Sequence, residues 1–307
     1  MSIDMTSNFF KLLLHFRRHD LRAFTEDHAA LFKEAKQRGD HLAVTSHYYS
    51  VMLLQEALTH LHTTIGRRLE LRPGVKCLDV GCGIGGVMKD LAPFGADLTG
   101  VTIAVNEVEM GNAQFESLGL RGCRLMEGDA HSLPLPDHSM DAVYAVYSLK
   151  YFPRVDKVIE EISRVLRPGG KLLIYDLIKT PLYDEKNEKH VEMMEGLEYA
   201  CGMPSLHSYS EMVEAASAAG LELTFVMTHS RPFHYCFSHS RFFMWLVSSP
   251  LVEWAMGAGQ FLRVLPQGFA AFNRIFLSGT VQKIVEGGKA GILSGSQILV
   301  FQKKGPL

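Results

Sequence analysis

Residues 77–86, CLDVGCGIGG, carry the clearest chemical pattern in the chain. An apolar run that predicts a strand leads into a turn with glycines at positions 81, 83, 85 and 86, and a helical pattern follows. Glycine lets a backbone approach a bound molecule closely, and the free amides at the start of a helix favour anionic groups. Open α/β sheets bind ligands at such a strand–turn–helix junction. The pattern therefore predicts a ligand-binding turn.

The same glycines also fit a second kind of site. Gly81, Gly83 and Gly86 have the spacing of the dinucleotide fingerprint. A nicotinamide site expects an acidic residue at the end of the second strand, where it holds the ribose. The second predicted strand ends in Thr102 instead. An NAD-dependent oxidoreductase is therefore disfavoured, although the turn by itself does not exclude it.

The elements that must position this turn alternate between strand and helix patterns. Strands are predicted for VKCLDV, ADLTGVT, CRLME, DAVYAVY, KLLIYDLI, ELTFVMT and QILVFQKK, and helices for VMKDLAPF, NEVEMGNAQFESLG and VDKVIEEISRVL. This alternation predicts an α/β fold with a parallel sheet that is covered on both faces. We expect an N-terminal helical cap over residues 1–70, a core over 71–228 and a C-terminal region over 229–307 that ends in the last core strand.

Composition narrows the function classes. The chain has 307 residues, with 31 Lys and Arg against 33 Asp and Glu, so it lacks the basic excess of a general nucleic-acid binder. Its five cysteines show no zinc or disulfide spacing, which favours a reducing compartment. We expect no signal peptide, and no apolar run approaches the ~20 residues of a transmembrane helix. The expected location is the cytoplasm, with peripheral contact at the endoplasmic reticulum membrane.

That contact is expected through residues 228–281, which carry only five charged side chains and both tryptophans. Three interpretations stay open for this segment, which lies between the last two predicted strands: a hydrophobic subdomain, a lid over an apolar substrate, or a membrane-interface patch. His234 and His239 are interleaved with aromatic residues, so we expect packing there and no metal site.

Two further blocks define the class more sharply. Gly128-Asp129-Ala130 follows the third predicted strand, and Arg167-Pro168-Gly169-Gly170 precedes the fifth. Together with the glycine turn and the block LPLPDHSMDAVYAVYSLKYFP, in this order over about 100 residues, they resemble the S-adenosylmethionine-dependent methyltransferases. This resemblance implies a Rossmann-like seven-stranded, mostly parallel sheet with helices on both faces.

The resemblance also implies which residues bind S-adenosylmethionine. The glycines of the turn would wrap the methionine part, a carboxylate in the first strand would lie near its ammonium, and later strand ends would hold the ribose and adenine. The glycines are Gly81, Gly83 and Gly85, and the carboxylate is Asp79. Thr102 stands where the family often has a carboxylate for the ribose, Asp129 with Ala130 would hold the adenine, and Tyr144 with Ala145 would line the pocket.

Within this class the chain resembles the sterol methyltransferases, through VTSHYYSVM, YDLIKT, EYACGMP and VEGGKAGILSGSQILVFQKK. The combination with SLKYFP is most similar to the nematode branch, which methylates carbon 4 of the sterol nucleus. Two departures stand out. Relative to the plant and fungal enzymes that methylate the sterol side chain, a pocket-lining segment of some two to three dozen residues is absent after Met52. Tyr147 also stands where the side-chain enzymes have a glutamate, and Tyr151 replaces a nearby histidine.

Carbon methylation needs an electron-rich carbon in line with the sulfonium methyl, a water-poor pocket and a base. At carbon 4, an enol or enolate beside a 3-keto group meets this need most easily. The candidates for the base are Asp176, Glu198, His47 and Tyr49. Two alternatives stay open beside the sterol enzyme: a methyltransferase for another lipid-like acceptor of the quinone or tocopherol type, and a catalytically impaired sterol-binding form.

Overall fold

The computed structural model of the protein describes residues 54–227, 249–263, 268–272 and 281–305, with the single residues 245, 265 and 274. Contacts divide the chain into two units, Met1–Leu61 and His62–Leu307. The first unit lies almost wholly outside the described residues, and so do the base candidates His47 and Tyr49. The cap, core and C-terminal boundaries predicted from the sequence stay predictions.

A sheet of seven strands forms the centre of the described part of the second unit. Its strands are β1 (Lys76–Val80), β2 (Asp97–Thr102), β3 (Cys123–Glu127), β4 (Met140–Val146), β5 (Leu166–Lys179), β6 (Leu221–Met227) and β7 (Leu293–Lys303). Their spatial order is β3-β2-β1-β4-β5-β7-β6. The pairs from β3 to β5 are parallel, whereas β7 runs antiparallel to both β5 and β6. The predicted seven-stranded, mostly parallel sheet is confirmed.

The described residues also form nine helices. They are α1 (Leu54–Arg68), α2 (Gly86–Leu91), α3 (Val105–Ser117), α4 (Val155–Val165), α5 (Glu188–Cys201), α6 (Tyr209–Ala218), α7 (Pro250–Phe261), α8 (Phe269–Phe272) and α9 (Val281–Lys289). The three helices predicted between the first five strands correspond to α2, α3 and α4. The prediction had no helix at α5, α6 or α9.

One face of the sheet packs against α4 and α6. The apolar residues of α4 recur with helical spacing, and their side chains are fully or almost fully buried against Leu78, Val143 and Leu172 of the strands. They are Val155, Val158, Ile159, Ile162 and Val165. Met212 and Ala216 bring α6 into the same cluster. This core fixes β1 and β4 side by side, which is where the predicted ligand turn begins.

The other face packs against α2 and α3. An added Cβ at Gly100 of β2 would lie 2.7 Å from Met88 of α2, and one at Gly111 of α3 would lie 2.2 Å from Leu125 of β3. Only glycine permits such close helix–sheet contacts. The prediction that helices cover both faces is therefore confirmed.

The segment between β6 and β7 is described only in part. Residues 228–244, which carry His234 and His239, lie outside the described residues. Helices α7 and α8 follow, and α7 has no buried residue. Within the described ranges, every helix is too short or too polar to cross a bilayer. A lid role for this segment stays a prediction.

Candidate active site

The glycine turn leaves β1 at the carboxyl edge of the sheet. Gly81, Gly83 and Gly85 all have positive φ, at 74°, 54° and 80°. The amides of Gly81 and Cys82 donate to the carbonyl of Val101 in β2, at 2.9 and 3.2 Å. These bonds hold the turn across the ends of both strands, where open parallel sheets bind ligands.

The surroundings of the three glycines differ. A Cβ at Gly81 would lie 2.5 Å from that of Ser148, and one at Gly85 would lie 2.3 Å from the Phe115 ring. A Cβ at Gly83 would meet no atom within 4 Å. Gly81 and Gly85 are therefore required by the protein's own packing. Gly83 borders open space, as expected where a backbone must let a ligand approach.

Asp79 and Tyr144 form a buried polar pair beneath this turn. They lie opposite each other in the β1–β4 register, and both side chains are buried. Asp79 Oδ2 and the Tyr144 hydroxyl have no hydrogen-bond partner among the described residues. Burial raises the pKa of Asp79 to about 7, against a smaller lowering by the nearby Tyr144 hydroxyl. An unsatisfied buried carboxylate is costly, so a cationic group bound here would stabilise it.

Ala145 points to the opposite face from Tyr144, as successive strand residues do. Its side chain is buried in the cluster of Leu78, Val143 and α4. Tyr144 therefore lies on the face of Asp79, whereas Ala145 can contribute only backbone to a pocket on that face.

The end of β2 presents a carboxylate that the sequence pattern does not reveal. The hydroxyl of Thr102 donates to Glu107 Oε2 at 2.8 Å. Glu107 lies in the first turn of α3 and is half-buried. Because α3 starts three residues after β2, the Glu107 carboxylate lies beside the end of β2, where a ribose-binding acid is expected. The spacing T-x-x-x-x-E at the start of the helix is the signal that could have indicated it.

Asp129 forms a turn at the end of β3. Its Oδ1 accepts from the His131 amide at 2.9 Å and approaches His131 Nδ1 at 2.8 Å. These bonds lower the pKa of this exposed carboxyl. Ala130 beside it is buried in the core. Asp129 thus has the turn-forming role, and its exposed carboxylate stays ionised and accessible at the edge where adenine is expected.

The turn after β4 holds a buried ion pair. Lys150 Nζ lies 3.1 Å from Asp176 Oδ1. The amides of Lys150 and Leu177 donate to the same carboxylate, at 3.3 and 2.8 Å. Asp176, predicted as a candidate base, is therefore held by three donors.

Glu198, the other described candidate base, lies near the end of β5. Its Oε1 accepts from the Leu206 amide at 2.7 Å and pairs with Lys179 Nζ at 3.4 Å. These contacts leave Oε2 without a hydrogen-bond partner among the described residues. The structure thus brings Asp79, Tyr144 and the glycine turn together, and it places Asp176 and Glu198 on neighbouring elements.

The sheet order, the glycine turn after β1 and the acidic groups at the ends of β1, β2 and β3 define the Rossmann-like methyltransferase class. A family model described as "Methyltransferase domain" matches residues 78–174. The fold is also that of geranyl diphosphate C-methyltransferase from Streptomyces coelicolor, with a TM-score of 0.62, 16% identity, and 82% of this chain and 80% of that chain covered.

Curated relatives define the family. The chain is 51% identical over 335 residues to "Sterol 4-C-methyltransferase strm-1" of Caenorhabditis elegans, covering 99% of each chain. It is 31% identical to "Squalene methyltransferase 1" of Botryococcus braunii, over 76% of this chain and 63% of that protein. The chain belongs to the sterol methyltransferase family of S-adenosylmethionine-dependent enzymes, and its cofactor is S-adenosylmethionine.

The alignment with the nematode relative is longer than this chain. It runs over 335 residues although the chain has 307, so at least 28 aligned positions of the relative have no counterpart here. The predicted loss of a segment after Met52 stays a prediction.

Proposed function

We propose that the enzyme methylates a sterol at carbon 4 of the nucleus, through the enol or enolate of a 3-keto sterol. The observation that carries this proposal is the 51% identity, over 99% of both chains, to a relative named as a sterol 4-C-methyltransferase. The turn after β4 supports it, because Tyr147 stands where the side-chain-methylating enzymes that the chain resembles have a glutamate. The carboxylate that lies at this turn, Asp176, is buried and paired with Lys150, so it is not available to a side-chain carbocation.

The residues at the strand ends fit the cofactor that the family uses. S-adenosylmethionine supplies an electrophilic methyl on a sulfonium. The Asp79 carboxylate, which lacks a partner for Oδ2, would receive its ammonium, and Gly83 leaves room for the backbone to approach it. Asp129 would accept from the adenine amino group. Charge complementarity and open space therefore coincide at one edge of the sheet.

We propose that Glu107, held by Thr102, binds the ribose hydroxyls in place of the missing strand-end acid. Its Oε2 already accepts from Thr102, and a carboxylate can accept several further hydrogen bonds. Glu107→Ala is expected to weaken cofactor binding about tenfold or more in calorimetry, and Glu109→Ala, an exposed acid on the same helix, is the matched control. Equal affinities of the two variants would refute this role.

Of the two described candidates for the base, Glu198 is the better placed. Asp176 must break contacts with Lys150 to accept a proton, whereas Glu198 Oε2 has no hydrogen-bond partner among the described residues. Glu198→Gln is expected to lower kcat by at least about a hundredfold while cofactor affinity changes little. Unchanged kcat would leave the base to the other predicted candidates, Asp176, His47 and Tyr49.

The test of the proposed function is a turnover assay with labelled S-adenosylmethionine and a 3-keto sterol, with cofactor binding measured in parallel. A 4-methyl sterol identified by mass spectrometry is the expected product. Methylation of a quinone or tocopherol-type acceptor alone would favour the other lipid-like substrate class. Cofactor binding without any product would favour a sterol-binding form, which the 28 or more missing positions make a specific alternative.

We further propose that α7 contacts a membrane surface. Leu251, Trp254 and Phe261 of this helix are 74%, 75% and 87% exposed. A sterol acceptor resides in a bilayer, and a helix that exposes tryptophan and other apolar side chains suits the boundary between lipid headgroups and acyl chains.

A further inference from the structure

The buried ion pair after β4 performs no step in the proposed chemistry. The side chains of Lys150 and Asp176 are 7% and 0% exposed. The carboxylate binds the ammonium through Oδ1 and the backbone amide of the same lysine through Oδ2. Buried ion pairs are poor stabilisers, because desolvation of both charges offsets their attraction. A role beyond stability is therefore worth seeking in what the pair contacts.

The ammonium shapes the backbone at Tyr147. Lys150 Nζ donates to the Tyr147 carbonyl at 2.6 Å and lies 4.6 Å from the centre of the Tyr147 ring. Tyr147 has a φ of 52°, a left-handed conformation that residues with side chains rarely adopt. Such a conformation persists only where surrounding contacts hold it, and it concentrates at functional sites.

The same turn contacts an apolar cluster on one side and the start of the glycine turn on the other. Tyr147 packs against the apolar cluster that includes Leu177 of β5, Leu197 of α5 and Ile284 of α9. The hydroxyl of the next residue, Ser148, donates to the Val80 carbonyl at 2.6 Å, directly before the glycine turn. Residues 147 and 148 thus connect the apolar cluster to the cofactor turn.

We propose that Lys150, held by Asp176, is a positioning residue for methyl transfer. It fixes the left-handed turn at Tyr147 and thereby the distance between the cofactor turn and the acceptor. In-line transfer depends steeply on that distance, because small displacements of the reacting atoms reduce the rate strongly. This inference rests on the proposed function, since it assigns a role in that same reaction.

The test removes both charges together, because Lys150→Met alone leaves a buried carboxylate unpaired and can prevent folding. The double variant Lys150→Met/Asp176→Asn is compared with Lys157→Met/Glu160→Gln, which removes an exposed pair on α4. The buried double variant is expected to fold and to bind S-adenosylmethionine within about threefold of the parent. Its kcat is expected to fall at least tenfold, and amide exchange at Tyr147 and Tyr151 to rise at least tenfold, while the control changes neither.

A kcat within twofold of the parent, or unchanged exchange at Tyr147 and Tyr151, would overturn the positioning role. If the parent enzyme transfers no methyl to any sterol, the proposed function fails, and exchange alone decides. If amide exchange in the buried double variant is then faster than in the parent at the turn and unchanged in β4, the result supports the claim that the ion pair holds this turn. Exchange at the turn equal to that of the parent overturns the claim.

Discussion

At the scale of single residues, alanine variants of two glycines with positive φ allow the cost of backbone strain to be measured separately from the effect on ligand binding. Gly83→Ala and Gly119→Ala place a methyl at left-handed positions with no atom within 4 Å, so each is expected to lower the free energy of unfolding by about 1–2 kcal/mol. Gly83→Ala alone should also weaken S-adenosylmethionine binding, since its methyl enters the space beside the turn. Urea unfolding and calorimetry measure the two effects, and equal cofactor affinity in both variants would contradict the role of Gly83.

Gly85→Ala adds a clash to the same strain, because its Cβ would lie 2.3 Å from the buried Phe115 ring. The expected cost is about 1–3 kcal/mol more than that of Gly83→Ala. A smaller loss of stability than in Gly83→Ala would show that the ring moves away freely.

Asp79 should make the folded protein less stable as the pH rises toward neutrality. Its pKa is raised from 3.8 to about 7 by burial, so the folded protein keeps a proton that the unfolded chain has lost. Stability therefore falls as pH rises from about 4 to 7 and stays lower above 7. Asp79→Asn removes this penalty, and its stabilising effect without cofactor should grow by about 2–3 kcal/mol between pH 5 and pH 8.

Denaturant unfolding of both proteins without cofactor measures this difference. The same variant should bind S-adenosylmethionine more weakly at pH 8, because the ammonium loses its carboxylate. A stability difference that is the same at both pH values would show that Asp79 is already ionised at pH 5.

At the scale of elements, α6 depends on a capping box. The Ser208 hydroxyl accepts from the Glu211 amide at 3.1 Å, and the Glu211 side chain accepts from the Ser208 amide. Ser208→Ala should lower the free energy of unfolding by about 1 kcal/mol. Ser208→Asp should keep most of this stabilisation, because Asp is also a favourable N-cap residue. Ser217→Ala, at an exposed position of the same helix, is the control and should be near neutral.

The same element shows what the sequence could and could not predict. The strands were predictable because each is an apolar run followed by a turn. Helices α2, α3 and α4 were predictable because their patterns lie between such runs. The sequence prediction did not include α5 and α6, although Asn187 and the Ser208-x-x-Glu211 pattern mark their starts. Periodicity alone is weak in these helices because few of their side chains face the core.

In the site, the local pattern indicated the glycine turn, and the resemblance to methyltransferases indicated Asp79 and Asp129. Glu107 and Lys150 were not predicted because their roles depend on contacts that spacing does not encode directly. Glu107 contacts Thr102 because α3 starts only three residues after the end of β2. A lysine is usually exposed, and the burial of Lys150 depends on distant contacts, with Asp176 of β5 compensating its charge and the Tyr147 carbonyl accepting from its ammonium.

At the scale of the whole molecule, the exposed apolar face of α7 predicts binding to vesicles. The enzyme should co-float with vesicles of phosphatidylcholine and sterol, and Trp254→Ala/Phe261→Ala should reduce the bound fraction several-fold by removing exposed apolar area. Tyr199→Ala, an exposed aromatic on α5, is the matched control. Salt should matter little, because residues 228–281 carry a net charge of only +3. Binding that persists in the double variant would count against α7 as the contact.

The place of β7 in the sheet has a consequence for biosynthesis. β7 is the last strand in the chain, yet it lies between β5 and β6. While the ribosome is still translating the preceding segment, β5 has an open edge and β6 has no neighbour in the sheet. The edges that β7 will join therefore stay unpaired while the 65 residues between β6 and β7 are translated. During this interval a chaperone or a second nascent chain can bind at the position that β7 later takes.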